Sequence, residues 1–216
     1  DGALTAYPCA TERPGTVSVQ AMAGRSVSAT SPVTLGVDGT FCIYTTVTAH
    51  VSVNLYGYYA PGTGDLFQPM AAGRLYDSRA GAVLAAGSIV HVQVTGKFAT
   101  PVDATAAAMT VHAFTTGTAG TVTVWPCAAS APTVGSLVAT DSVGVTNHVV
   151  SRLSATGDIC VQVSVPMHIV VDLSGWYGPQ ATASYTALAP TRVVDSKTGV
   201  GLSGPSSAGA NRSFVV

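Results

Sequence analysis

The sequence contains little charge. Only 9% of its 216 residues are Asp, Glu, Lys or Arg, whereas about 25% is usual for a soluble domain. The nine basic residues nearly balance the ten acidic ones, and no basic run exists. The sequence therefore lacks the electrostatic footprint of a nucleic-acid-binding protein. Apolar residues still make up 47%, which excludes a disordered chain and is typical, with the abundant Thr, Ser and Gly, of a β-rich extracellular protein.

Long apolar runs and catalytic signatures are also missing. No run approaches the roughly 20 apolar residues that a membrane-spanning helix needs. The sequence has no Gly-x-Ser-x-Gly elbow, no His-Glu-x-x-His zinc motif and no phosphate-binding loop. His91 and His112 fall on separate predicted strands with no acidic cluster beside them. We therefore predict no enzymatic activity, no cofactor, no metal site and no membrane span.

The feature that organises the chain is an internal repeat. The stretch from Val122 to Tyr177 resembles the stretch from Leu4 to Tyr59, at a constant offset of 118 residues. Matched positions include Cys9 with Cys127, Cys42 with Cys160, Gly57 with Gly175, and Asp77 with Asp195. A period of this length indicates a duplicated module, and the cysteine pairing and module boundaries predicted below follow from it.

The four cysteines form two pairs with the same spacing. Cys9 and Cys42 are 33 residues apart, as are Cys127 and Cys160. Three pairings are possible in principle, and the repeat favours pairing within each copy, because each copy must work with its own two cysteines. Neither copy has a Cys-x-x-Cys, so a zinc site is the weaker interpretation. We predict two disulfides and hence an oxidising compartment.

The local pattern is one of strands and turns throughout. The predicted strands of the first copy are Ala3–Tyr7, Val17–Ala21, Val27–Leu35, Phe41–Val47 and His50–Leu55, the last two forming a hairpin. In the second copy Ile89–Val94 is a predicted strand, and so is Ala104–Phe114 despite its alanines. No segment shows a sustained 3.6-residue apolar period.

These strands predict an all-β fold. One full unit extends from Arg74 to Tyr177 with about eight short strands, a spacing typical of a sandwich or jelly roll. We predict two tandem antiparallel β-sandwich modules, each with one disulfide. The predicted parts are an incomplete N-terminal module at 1–65, a complete module at 66–181, and a partial repeat at 182–216 that supplies strands to a neighbouring module or subunit.

Two sets of charged residues stand at matching positions. They are Arg74, Asp77 and Arg79 in one copy and Arg192, Asp195 and Lys197 in the next. Arginine forks suit carboxylates and sugars, so a ligand site is one interpretation. In a chain so poor in charge we favour an ion-paired structural corner, which fixes geometry more than it adds stability.

Together these motifs resemble a repeated β-module of large secreted and cell-surface proteins of actinobacteria and some related bacteria. The resemblance is carried by Arg-x-x-Asp-Ser-Arg at 74–79, Tyr-Pro-Cys at 7–9, Gly-x-x-Cys-Ile-Tyr at 39–44 and Val-Asp-Leu-Ser-Gly-Trp-Tyr at 171–177. Asn54 replaces the Asp found at Asp172, and Lys197 replaces the Arg found at Arg79. The resemblance implies an extracellular, non-catalytic module, and it names no ligand.

The aromatic residues suggest a second kind of site. Tyr56, Tyr58 and Trp176 are candidates for stacking against sugar rings. Strand alternation places Tyr56 and Tyr58 on one face and Tyr59 on the other, so at least one face is expected to be core or interface. A binding module for cell-wall or host glycans is therefore our alternative hypothesis.

The sequence begins inside one copy of the repeat and ends inside another. An incomplete sandwich exposes strand edges, which natural proteins avoid unless a partner pairs with them. We expect a subunit interface at Arg212, Ser213, Phe214, Val215 and Val216. Two full periods need 236 residues and the sequence has 216, so a joined module would be 20 residues short. Closure of the two ends within one chain is an alternative.

Our leading hypothesis is a structural subunit of an extracellular, pilus-like filament or cell-surface layer. Copies of the chain would join head-to-tail by strand complementation, and a head-to-tail contact that does not close produces a filament. Under both hypotheses the protein is secreted and acts at a cell surface.

Overall fold

The structure, a computed structural model, describes residues 1–140, 144–186 and 192–214. The chain divides into two compact units, Asp1–Tyr185 and Thr186–Val216. The predicted boundaries at 65 and 181 stay predictions.

The strands of the described residues are β1 (Gly2–Tyr7), β2 (Val19–Ala21), β3 (Cys42–Thr45), β4 (Leu66–Asp77), β5 (Ile89–Gln93), β6 (Ala106–Thr115), β7 (Gly120–Pro126), β8 (Leu137–Ala139), β9 (Val145–Arg152), β10 (Asp158–Val163) and β11 (Met167–Gly178). The predicted all-β fold is confirmed.

The complete copy forms a sandwich of two four-stranded antiparallel sheets. One sheet has the order β5-β10-β7-β8 and the other the order β4-β11-β6-β9. Side chains from both sheets meet in one core, to which β6 contributes Met109 and Val111, and β11 contributes Val171 and Leu173. The alanine-rich stretch predicted as a strand is β6. It is a strand because it lies between β9 and β11, where small side chains allow close packing.

The first copy forms only half of this sandwich. Its sheet has the order β2-β1-β3, and a shift of 118 residues carries those strands onto β8, β7 and β10. The register is also repeated, because Tyr7 lies opposite Cys42 as Trp125 lies opposite Cys160. The two copies therefore fold their matching sequences into the same three-stranded arrangement.

The second half of the first copy corrects the sequence prediction. Val27–Leu35 and His50–Leu55 are not strands in the structure, and β3 pairs with β1 rather than with 50–55. Their counterparts in the complete copy are β9 and β11, which both pair with β6, while β11 also pairs with β4. No strand among the described residues pairs with either segment of the first copy, so their backbone groups join no ladder there, and β-propensity alone does not make a strand.

Both disulfides join the predicted cysteines. Cys9 is bonded to Cys42 and Cys127 to Cys160, so each bond links the end of a strand to its neighbour in the same copy. These bonds indicate an oxidising compartment. Within the described parts of the chain, no helix has the length and apolar character needed to cross a membrane.

Candidate functional site

The most unusual surface of the first unit is the segment at 50–59, which we call the unpaired segment. No strand among the described residues pairs with it. Val53 and Leu55 are 59% and 84% exposed, whereas their repeat counterparts Val171 and Leu173 are 0% exposed. The same sequence pattern thus forms a central core strand in one copy and an uncovered apolar strip in the other.

Side-chain contacts hold the unpaired segment against the complete module. The Asn54 amide and the Tyr56 hydroxyl both approach the carbonyl oxygen of Gly135, each at 3.4 Å. The hydroxyl oxygens of Tyr59 and Tyr177 lie 3.1 Å apart. The first two contacts are long for hydrogen bonds. The segment is therefore attached by a few side chains, and its last residue makes the closest contact.

An aromatic pair at the end of the unpaired segment repeats a pair inside the complete module. The rings of Phe67 on β4 and Tyr177 on β11 lie 4.9 Å apart, and the two residues are register partners. Tyr185 is the counterpart of Phe67 in the next copy and Tyr59 is the counterpart of Tyr177 in the preceding copy, and the rings of Tyr59 and Tyr185 stack at 4.8 Å. Neither Phe67 nor Tyr185 is among the site residues predicted above, although the constant offset of 118 residues connects the two.

Two of the three residues predicted to stack on sugars are accessible. Tyr58 is 80% exposed and Tyr56 is 38% exposed. Trp176 is only 7% exposed and packs in the core, so its ring is not available to a ligand. The difference follows from the strand neighbours, because β11 is covered by β4 and β6 and the unpaired segment is not.

The first charged set links β4 to β11. Arg74 contacts Asp77 through Nη1 at 2.6 Å and Asp172 through Nε at 2.5 Å. Arg79 contacts Asp77 through Nη2 at 2.7 Å, and its backbone N–H donates to the same carboxylate. Hydrogen bonds from the Arg79 side chain and backbone, with the charges of Arg79 and Arg74, hold the pKa of Asp77 well below its usual range. Both guanidinium groups are thus engaged within the protein, which suits a structural corner.

A histidine that sequence analysis set aside extends this corner. Nε2 of His112 lies 3.5 Å from Asp172, and its Nδ1 lies 2.7 Å from the hydroxyl of Thr146. The corner therefore continues across β6 to β9. Of its two acidic residues, Asp172 is the one that the first copy replaces by Asn54.

The second unit repeats the local part of the corner. Nη1 of Arg192 lies 2.8 Å from Asp195, whose carboxylate also accepts from the backbone N–H groups of Lys197 and Thr198. The backbone hydrogen bond from Thr198 is the largest cause of a lowered pKa for Asp195. The arrangement of arginine and acid is therefore encoded within this short stretch of sequence.

The predicted subunit interface lies at the end of the second unit. Arg212 donates to the backbone oxygens of Ser203 and Gly204, at 2.7 and 2.8 Å. Phe214 is exposed, as is Ser213. Val215 and Val216 lie outside the described residues. An interface at this position stays a prediction.

One cluster has the spacing of a metal site. His91 lies beside Cys127 and Cys160, and its Nε2 is 3.7 Å from the sulfur of Cys160. Both sulfurs are joined in a disulfide, so neither is a thiolate that could bind a metal.

No protein-family model matches the chain, and a search of the curated proteins found no similar protein.

Proposed function

We propose that the protein is a secreted structural subunit of an extracellular filament or cell-surface layer, joined by β-strand complementation between copies. The observation that carries this proposal is the unpaired segment, whose Val53 and Leu55 are exposed at positions that are core in the complete copy. The two disulfides suit an extracellular protein. The resemblance to a module of actinobacterial surface proteins points in the same direction.

The energetic argument rests on the apolar side chains of this segment. Burying a Val or Leu side chain contributes about 1.5–3 kcal/mol relative to full exposure. Val53 and Leu55 together would therefore contribute several kcal/mol when covered, before the cost of ordering the added strand. A strand added beside them would also satisfy backbone groups that have no ladder partner.

The geometry of such a contact favours an open assembly. The unpaired segment belongs to the first repeat copy, whereas β4 belongs to the complete copy. Donor and acceptor are thus different surfaces of the chain, and a heterologous contact extends indefinitely unless its rotation closes a ring. The low charge of 9% keeps like-charge repulsion between stacked subunits small.

The test is native mass measurement with negative-stain imaging over a range of concentrations. We expect regular fibres from the unaltered chain and their loss in Leu55→Asp, because a buried carboxylate would oppose strand addition. Val37→Asp is the matched control, since Val37 is fully exposed in the same copy but outside the unpaired segment. A 21.6 kDa monomer at every concentration would contradict the proposal.

Glycan binding is the second candidate, supported by the exposure of Tyr58 and Tyr56. Tyrosine rings at this level of exposure can stack on sugars. Binding on a glycan array that Tyr58→Ala abolishes would favour this function. Tyr44→Ala is the control, because Tyr44 is another exposed tyrosine of the first copy and lies on β3. Array binding that survives Tyr58→Ala would contradict this site.

A further inference from the structure

We infer that the complete module binds zinc through His91, Cys127 and Cys160 when the disulfide between the two cysteines is reduced. The sequence predicted no metal site, because it contains no Cys-x-x-Cys. The fold nevertheless brings one histidine and two cysteines together from distant parts of the chain. This inference is independent of the proposed function, because the site takes no part in contacts between copies.

The register of one sheet places the three residues together. His91 on β5 lies directly opposite Cys160 on β10, and Cys127 follows β7, the other neighbour of β10. Side chains directly opposite each other in an antiparallel pair share one face of the sheet. The ligand atoms of the three residues all lie within 4.8 Å of one another, and Nε2 of His91 is 3.7 Å from the sulfur of Cys160.

These distances suit a tetrahedral zinc ion. Zinc–sulfur bonds of about 2.3 Å and zinc–nitrogen bonds of about 2.0–2.1 Å place neighbouring ligand atoms about 3.4–3.8 Å apart. The His91 nitrogen already has this spacing from the Cys160 sulfur. The main movement required is separation of the two sulfurs once their bond is reduced. Two thiolates and one imidazole form a known zinc ligand set that leaves the fourth position to water.

A carboxylate beside His91 supplies the outer contact of a zinc-bound histidine. Metal-binding histidines usually donate their second ring N–H to a carboxylate or a carbonyl, which fixes the ring and its tautomer. Nδ1 of His91 lies 3.5 Å from a carboxylate oxygen of Asp158. Ser154 and Thr156 donate to the other oxygen, and these hydrogen bonds, led by that from Ser154, lower the pKa of Asp158. Asp158 is thus held as an anion at the ring nitrogen that the metal leaves free.

The zinc site and the disulfide are alternative states of the same two cysteines. A thiol reductant adds two electrons and two protons to the Cys127–Cys160 bond and is itself oxidised to a disulfide. Zinc binding then displaces the two thiol protons. The zinc form therefore belongs to a reducing compartment and the disulfide form to an oxidising one. While zinc is bound, it keeps these two cysteines adjacent and prevents their pairing with Cys9 or Cys42.

The first copy provides a matched comparison. Cys9 and Cys42 have the same separation of 33 residues and are joined in the same way. Within the part of the chain that the structure describes, no third ligand joins them in a group of this kind. We therefore expect one zinc ion per reduced chain rather than two.

The test is a cobalt(II) titration of the full chain carrying Cys9→Ser and Cys42→Ser, reduced with a phosphine that is then removed. Tetrahedral thiolate coordination gives cobalt strong visible absorption and a near-ultraviolet charge-transfer band. We expect one cobalt ion per chain, displaced by zinc, and no such signal from the oxidised chain. Asp158→Asn should weaken binding by about ten- to a hundredfold, and His91→Ala by more.

The matched control is His148→Ala, because His148 is an exposed histidine on β9 of the other sheet. Its cobalt affinity should be unchanged. Equal affinity in His91→Ala and the parent chain would overturn the inference, because binding would then need only the thiols. Two cobalt ions bound to the reduced chain with all four cysteines would also overturn it.

A second readout covers the case in which reduction unfolds the module. Metal binding to a folded arrangement of ligands stabilises that arrangement. Zinc should therefore restore the native tryptophan fluorescence of the reduced chain and should fail to do so in His91→Ala. Binding without any recovery of the native signal would overturn the inference. Neither readout depends on whether the protein forms fibres, so the proposed function is tested separately.

Discussion

The hydroxyl oxygens of Tyr59 and Tyr177 lie 3.1 Å apart, and the two residues occupy the same position in the two repeat copies. Tyr177 lies near the end of β11, which is flanked by β4 and β6, whereas Tyr59 ends the unpaired segment, with which no described strand pairs. Burial is the main cause of a raised pKa for Tyr177, and the hydrogen bond with Tyr59 acts in the same direction. This pair therefore makes the junction of the copies sensitive to alkaline pH.

The first prediction concerns that sensitivity. Because the folded state raises the pKa of Tyr177, its contribution to stability is fully present below the ordinary tyrosine value of about 10 and is lost as pH rises through the folded value. We expect urea unfolding to show falling stability above about pH 10. Tyr177→Phe should reduce that fall, whereas Tyr44→Phe should not. An unchanged alkaline profile in Tyr177→Phe would contradict this account.

A second prediction compares two matched glycines. Gly175→Ala should destabilise the complete module by about 1–3 kcal/mol, because the new methyl group collides with Phe67 in a packed sheet. Gly57→Ala should leave the unfolding of the single chain unchanged, since nothing lies within 4 Å of the added atom. Denaturant titration followed by tryptophan fluorescence measures both. Equal effects of the two substitutions would show that the copies are packed alike.

The third prediction separates the two disulfides. Trp125 and Trp176 both lie buried in the complete module, so tryptophan fluorescence follows chiefly the unfolding of that module. Replacing Cys127 and Cys160 by Ala should lower its stability by about 3–4 kcal/mol, as expected for a loop of this length.

The matched control replaces Cys9 and Cys42, which close a loop of the same length in the first copy. That change should leave the tryptophan transition nearly unmoved. A large shift of the transition in this control would mean that the first copy contributes to the stability of the complete module.

The repeat explains which parts of the fold were predictable from sequence. Both disulfides were predicted correctly, and the strand predicted at Ala104–Phe114 is present at Ala106–Thr115, because each of these features has its partners within its own copy. The hairpin ending at Leu55 was wrong, because its residues carry strand propensity but lack the neighbours that β11 finds in β4 and β6. Propensity describes what a segment can form, and partners decide whether it forms.

The site shows the same limit. Tyr58 and Trp176 occupy matching positions, so sequence alone gave them the same role, yet one is 80% exposed and the other 7%. The Tyr59–Tyr185 stack was not predicted, because those residues are 126 positions apart and join two different copies. Only the assembled sheets reveal that it repeats the Tyr177–Phe67 pair.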